Sequence, residues 1–284
     1  AELATLDALP AKILEGLNQQ LTPLLPDLTD QERDALFQRT ILANPLRPTI
    51  NLNALFSQLS GDVERQQQLQ QRSLAVMQTL LAEAEASGQR GCFFLHLAPN
   101  LGSSDGVELP KPAVPGNVGT TDVQFMLRGA VKEAGLLALI NDHIARRTGT
   151  APLGADFNAR SAPTGHTELL ELCQRSIPVE HMPVLVGVGD TITSEPDGQG
   201  GWRRGGSDRG FLTLLQELGN RFGRQNRVVL VDSSAGEVDR PSLQHPELKG
   251  LSDPDDPLKP DVLVPGGPDA YVAWFEQLAN ELGS

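Results

Sequence analysis

Three side chains in this sequence have the type and placement to do chemistry: Asp190, Asp208 and Lys132. The run Val184-Leu-Val-Gly-Val-Gly-Asp190 reads as a short buried strand of a parallel sheet with the aspartate at its carboxyl end. Open α/β sheets collect ligands at that end. After an insert over 191–206, Ser207 is placed to cap a helix with Asp208 in its first turn. The apolar positions Phe211, Leu212, Leu215 and Leu218 recur at helical spacing, and Gly219 is the expected stop. Two carboxylates so placed could converge on one hard cation, or be a turn residue and a helix-start acid favoured by the dipole. Lys132 lies near a helix start, where the dipole mildly disfavours a cation. A phosphate or carboxylate neighbour accounts for it, and so does simple exposure.

Further polar groups fall near the same sheet edge. Asp232 ends a second buried strand, Val228–Val231, and Ser233 and Ser234 follow it, either to contact a ligand or to form an Asx turn. Arg128, Arg203 and Arg204 are available to an anionic substrate, although loop arginines are mostly solvated. The candidate substrate contacts are therefore Arg128, Arg204, Ser207 and Asp232. The five histidines lack zinc-site spacing, and no G-x-S-x-G elbow, phosphate-binding Walker loop or dinucleotide G-x-G-x-x-G follows a strand.

The elements that must position these groups divide into two portions. The first begins with an amphipathic helix on Leu6, Leu9, Ile13, Leu17 and Leu21, interrupted near its start by Pro10. A capping box, Thr29 with Glu32, opens a second helix. Pro48 to Asn53 reads as an extended connector, after which Asn53 or Ser60 starts a long helix to about Ala86. Its glutamine-rich stretch 66–72 reads as a solvated face, with Leu69, Val76, Met77 and Leu80 turned inward. Cys92 to Leu97 is a strand, and Ala98 to Gly119, rich in Pro, Gly and Ser, a long loop. The second portion alternates strands at 121–127, 184–188, 227–231 and 261–264 with helices, the pattern of parallel βαβ units; Glu195 to Arg204 reads as a loop.

Composition sets outer limits. The chain has 284 residues, a formal charge of −13 and 39% hydrophobic residues. Such a charge repels polyanions, which argues against nucleic acid and anionic membranes as partners. No apolar run approaches the ~20 residues of a spanning helix. Two widely spaced cysteines without metal or redox spacing read as buried free thiols, which fits a reducing cytoplasm.

Several segments carry a resemblance. Gly119-Thr-Thr-Asp-Val-Gln-Phe-Met-Leu-Arg-Gly-Ala-Val-Lys-Glu-Ala-Gly135, Gly187-Val-Gly-Asp-Thr-Ile-Thr-Ser194, Arg203-Arg-Gly-Gly-Ser-Asp-Arg209 and Val231-Asp-Ser-Ser-Ala-Gly-Glu-Val238 stand in order across the chain, after Ala98-Pro-Asn-Leu-Gly102. On them the sequence resembles the glucosylglycerol-phosphate phosphatases, within the haloacid dehalogenase-like superfamily. The resemblance implies an α/β fold with a parallel Rossmannoid core over 121–284 and an α+β cap domain over 1–120 that selects substrate. It implies Mg²⁺-dependent hydrolysis of glucosylglycerol 3-phosphate through an aspartyl phosphate, in osmolyte synthesis and salt tolerance. Lys132 would balance charge, Asp190 would hold Mg²⁺, and Asp208 would be the second acidic metal position. The synthase that makes the phosphorylated osmolyte would be a partner. The family's nucleophile lies in an N-terminal Asp-x-Asp, whereas the only such motif here is Asp253-Pro-Asp255 in a late Pro-rich loop. The expectation is a chain that begins at the cap, with the first core strand region missing, and is inert as given. Another sugar-phosphate phosphatase, such as one for sucrose phosphate, or a non-catalytic sugar-phosphate-binding or regulatory protein are the alternatives.

Overall fold

The computed structural model describes residues 1–59, 61–104, 107–236 and 240–283. Its described residues divide into two compact units, one running to Arg128 and one from Gly129 onward. The division falls beyond position 120 because the strand at 122–127 is built into the sheet of the first unit.

In the first unit the helices are α1 (Glu2–Leu21), α2 (Asp30–Thr40), α3 (Asn53–Phe56) and α4 (Val63–Ala84), and the strands β1 (Ile41–Leu42), β2 (Thr49–Asn51), β3 (Phe93–Ala98), β4 (Asn100–Ser104), β5 (Val107–Pro110) and β6 (Asp122–Leu127). An antiparallel sheet of order β1-β2-β6-β3 receives α1 and α4, with Ile13, Leu17, Leu69, Met77 and Phe125 fully buried between them. α1 runs unbroken through Pro10 and buries the five positions its period selects. The Thr29 hydroxyl accepts from the Glu32 amide at 3.3 Å and Glu32 accepts from the Thr29 amide at 2.8 Å, closing the expected box.

Four expectations for this unit are corrected. The connector at 48–53 holds a strand, β2, because Ile50 completes the buried sheet face. The long helix starts neither at Asn53 nor at Ser60, which lies outside the described residues. Asp62 caps it by accepting from the Arg65 amide at 3.0 Å. The stretch 98–119 contains the antiparallel pair β4 and β5. The glutamine-rich face is not wholly solvated, since Gln66 and Gln70 are buried. Gln70 donates to the carbonyls of Val118 at 2.9 Å and Thr120 at 2.8 Å and accepts from the Ala113 amide at 3.0 Å. Its amide thereby replaces the ladder bonds that a Pro-rich segment cannot make.

The second unit comprises α5 (Lys132–Thr148), α6 (His166–Ser176), β7 (Val186–Gly189), β8 (Thr193–Pro196), β9 (Trp202–Gly205), α7 (Arg209–Phe222), β10 (Arg227–Val231), β11 (Val262–Val264) and α8 (Gly267–Gly283). Its sheet has the order β11-β10-β7 with every pairing parallel, so the carboxyl ends of all three strands lie at one edge. α7 makes the crossover and is buried on two sides. Leu214, Leu218 and Phe222 meet α5 and α6, while Leu212 and Leu215 meet Val228 and Leu230 of the sheet. The helix passes through Gly219 and ends at Gly223, whose φ of +62° closes it. The insert expected as a loop is a hairpin, β8 against β9. The Asp197 carboxylate folds its turn by accepting from the amides of Gln199 and Gly201 at 2.7 and 2.8 Å.

Replacing Gln70 by leucine should lower unfolding stability by about 2–4 kcal/mol, because buried carbonyls and one amide lose their partner. Urea unfolding followed by circular dichroism measures it, with Gln67→Ala as the milder control, expected to cost ~1 kcal/mol or less.

Candidate active site

The site is built at the carboxyl edge of the parallel sheet, entirely within the second unit. Asp190 follows β7 and Asp232 follows β10. Between these strands in sequence, the hairpin returns the chain so that Asp208 stands as the N-cap of α7 directly beside the end of β7. Ser207, expected to cap, is displaced from that position by one residue. Asp208 itself makes no side-chain cap, because its carboxylate turns the other way. Oδ2 accepts from the backbone N–H of Asp190 at 2.8 Å and of Thr191 at 2.9 Å. Oδ1 accepts from the ammonium of Lys132, the first residue of α5. Asp208 is 3% exposed, and three N–H donors from two elements keep that burial affordable. Two glycines permit the approach. A Cβ on Gly189 would lie 2.9 Å from Asp208 Cβ and 3.0 Å from its Oδ2, and one on Gly206, at φ +97°, would lie 2.4 Å from the Thr191 carbonyl oxygen.

Asp190 is the more open carboxylate, its side chain 45% exposed. Thr191 Oγ1 donates to Oδ1 at 2.6 Å, and Arg240 Nη1 lies 3.0 Å from Oδ2. Arg240 also donates to the hydroxyls of Thr191 and of Ser233, the latter at 3.3 Å. Burial pushes the Asp190 carboxyl upward, but the Thr191 hydroxyl and the Arg240 charge outweigh it and hold the group below the usual carboxylate range. Arg240 is the residue that sequence reasoning missed, because nothing in its local pattern places it at a strand end so far upstream.

The remaining sequence candidates have other partners. Asp232 accepts from the Ser234 amide at 2.8 Å, the Ser242 hydroxyl at 2.9 Å and the Leu243 amide at 2.9 Å, so it shapes the chain after β10. Those hydrogen bonds overcome its burial and keep it ionised below the usual range. Arg204 grips Asp253 with two nitrogens, Nε at 2.9 Å and Nη2 at 2.8 Å. Arg209 grips Asp256 in the same way at 2.8 and 2.9 Å. Both carboxylates are fully buried. The late Asp-x-Asp is thus half of an arginine-locked loop that also ties down the hairpin, through the Ser194 hydroxyl on Asp253. Arg128 belongs to the first unit, where its backbone N–H donates to the Cys92 carbonyl at 2.8 Å. Neither cysteine is in a disulfide, and burial pushes the Cys173 thiol up to about 12, which removes it as a nucleophile.

For a divalent cation the two aspartates differ. The oxygens of both accept from protein donors, but Asp208 is buried, whereas Asp190 is a half-open carboxylate at the sheet edge. Among the described residues no group of three or more His, Cys, Asp or Glu could hold a metal. One carboxylate supplemented by water and substrate oxygens is a donor set that suits Mg²⁺.

The family model described as glucosylglycerol-phosphate phosphatase matches residues 1–279. A curated glucosylglycerol-phosphate phosphatase of Synechocystis sp. (strain ATCC 27184 / PCC 6803 / Kazusa) is 43% identical over 292 residues, covering 98% of this chain and 69% of the relative's length. No solved structure matches the chain. Among the described residues no helix is long and apolar enough to cross a membrane.

Two outcomes follow from the geometry. Gly189→Ala should cost about 1–3 kcal/mol by forcing Asp208 off the strand end, read as a lowered urea midpoint. Arg204→Met should cost about 3–5 kcal/mol by leaving buried Asp253 unpaired. The Arg204 hydrogen bonds outweigh burial and hold Asp253 well below the usual range. Its contribution is therefore complete above about pH 5 and is lost as the pH falls through and below ~4. Urea midpoints between about pH 3 and 7 should show a shallower acid slope in the Arg204→Met protein than in wild type.

Proposed function

Because the chain belongs to the glucosylglycerol-phosphate phosphatase family and is on that account a phosphatase, a phosphoric monoester hydrolase, we propose that its substrate is glucosylglycerol phosphate and that Mg²⁺ is its cofactor. The reaction breaks the phosphorus–oxygen bond of the monoester and adds water, releasing glucosylglycerol and inorganic phosphate. One observation carries the reading. The ammonium of Lys132 and the amides at the carboxyl end of β7 meet on the single buried carboxylate of Asp208, with Asp190 beside them. A phosphoryl group needs fixed positive charge set out before it arrives, since phosphoryl transfer is achieved by positioning and electrostatics, and Asp208, itself held by the two amides, fixes the Lys132 ammonium for that role.

The residues divide this work. Lys132, its side chain about half exposed, presents an ammonium for the non-bridging phosphate oxygens while Asp208 fixes its direction. The Phe211 ring, with its centroid 5.9 Å from that ammonium, adds a weak attraction. Asp190 would hold the Mg²⁺, which supplies charge neutralisation of the phosphate when bound. Asp208, with both oxygens committed, positions Lys132 and the strand end rather than serving as a second ligand. Thr191 keeps the Asp190 carboxylate oriented, and the Ser233 hydroxyl donates to the main-chain carbonyl of Asp190 at 3.5 Å. The all-parallel sheet with its crossover supports the haloacid dehalogenase-like core, and residues 1–128 are the candidate substrate-selecting cap. Two cysteines free of disulfides support a reducing compartment, hence the cytoplasm. The phosphorylated substrate must come from an enzyme that joins glucose to glycerol phosphate, which makes that synthase the proposed partner in osmolyte synthesis and salt tolerance.

The test is phosphate release by the full-length gene product from glucosylglycerol phosphate, sucrose phosphate and simpler sugar phosphates, with and without Mg²⁺. Glucosylglycerol phosphate should have the highest kcat/KM, and chelation should abolish release. Lys132→Ala should lower kcat by roughly 10²-fold or more. Asp190→Asn should raise the Mg²⁺ concentration needed for half-maximal rate. Equal rates across the panel would remove the substrate assignment, and unchanged kinetics in either variant would remove that residue from the site.

A further inference from the structure

Three arginines of the second unit hold aspartates at or near the sheet edge, and they do so in two different ways. Arg204 and Arg209 each place two nitrogens on a carboxylate that is wholly buried. Arg240 reaches Asp190 through Nη1 alone, at 3.0 Å, on a carboxylate that is 45% exposed. The same nitrogen also serves the hydroxyls of Thr191 and Ser233, three acceptors for two hydrogens. A two-point grip on a dry carboxylate is a permanent part of a fold. A shared one-point contact on a wet carboxylate contributes little to stability and is readily exchanged.

The geometry points to Arg240 as an exchangeable counter-ion, which neutralises Asp190 until a hard divalent cation takes the same carboxylate and drives the guanidinium off Oδ2. This rests on the assignment of Asp190 as the Mg²⁺ ligand. The physical reason is repulsion: a divalent ion on Asp190 would stand a few ångströms from a guanidinium aimed at the same oxygen, and like charges at such a separation repel one another. Arg240 can yield without leaving, because the Thr191 and Ser233 hydroxyls still accept from it. The design keeps Asp190 ionised and oriented before the metal arrives, at the expense of weaker metal binding. Arg240 is accordingly a positioning residue for the metal-binding carboxylate.

Calorimetric titration of the full chain with MgCl₂, and separately with MnCl₂, tests this without substrate. Arg240→Gln should bind either ion roughly tenfold more tightly than wild type, since a competing charge has gone, whereas Arg240→Lys should stay near wild type. Arg240→Met, which keeps most of the side-chain stem, provides the same comparison if the glutamine variant does not fold. A role in the fold alone would lower stability without tightening metal binding. Equal or weaker affinity in a natively folded Arg240→Gln or Arg240→Met protein would overturn the exchange while leaving Asp190 as ligand. Failure of every protein to take up either ion, with Asp190→Asn indistinguishable from wild type, would remove the metal assignment and the exchange with it.

Discussion

The buried carboxylate of Asp208 is the constraint around which the second unit is arranged. An ionised group taken out of water must find donors, and here they come from the start of α5 and from the end of β7, elements that the sequence separates widely. The hairpin between β7 and α7 exists to bring this carboxylate back to the strand it left. Gly189 and Gly206 lack side chains where the two segments would otherwise collide. A single ion therefore fixes where a lysine, a strand end and a helix start meet, which is what a phosphoryl site requires.

The hairpin is held in turn by a second set of charges. Arg204 and Arg209 reach from its far end and from the first turn of α7 to Asp253 and Asp256, and the loop that carries those aspartates becomes rigid with it. In a chain of formal charge −13, most cations near the site are thus already committed to aspartates of the same unit. Net charge says what the whole protein repels. The field at the sheet edge depends instead on which local pairs are sealed from water and which remain open to exchange.

Much of the scaffold was legible because its determinants are local. The five buried positions of α1, the capping box at Thr29 and the β-branched strands on either side of α7 follow from period and from residues three or four apart. The failures share a cause. Segments read as loops, the Pro-, Gly- and Ser-rich 98–119 and the Gly-rich, polar 195–204, hold hairpins because side chains elsewhere complete their hydrogen bonding, Gln70 in one case and Asp253 in the other. A glutamine run that looked solvated buries two of its members for the same reason.

By itself the sequence determined the helical and strand periods, the parallel α/β pattern of the second half, and the position of Asp190 and Lys132 at element ends, since each of these depends on neighbours within a few residues. Tertiary structure alone decided that the Asp208 carboxylate receives Lys132 and the strand-end amides, that Arg204 locks a loop, and that Arg240 faces Asp190. The role of a charged side chain depends on which groups come within about 3 Å of it. For these residues such groups lie as many as 76 positions away, a distance over which no local pattern carries information.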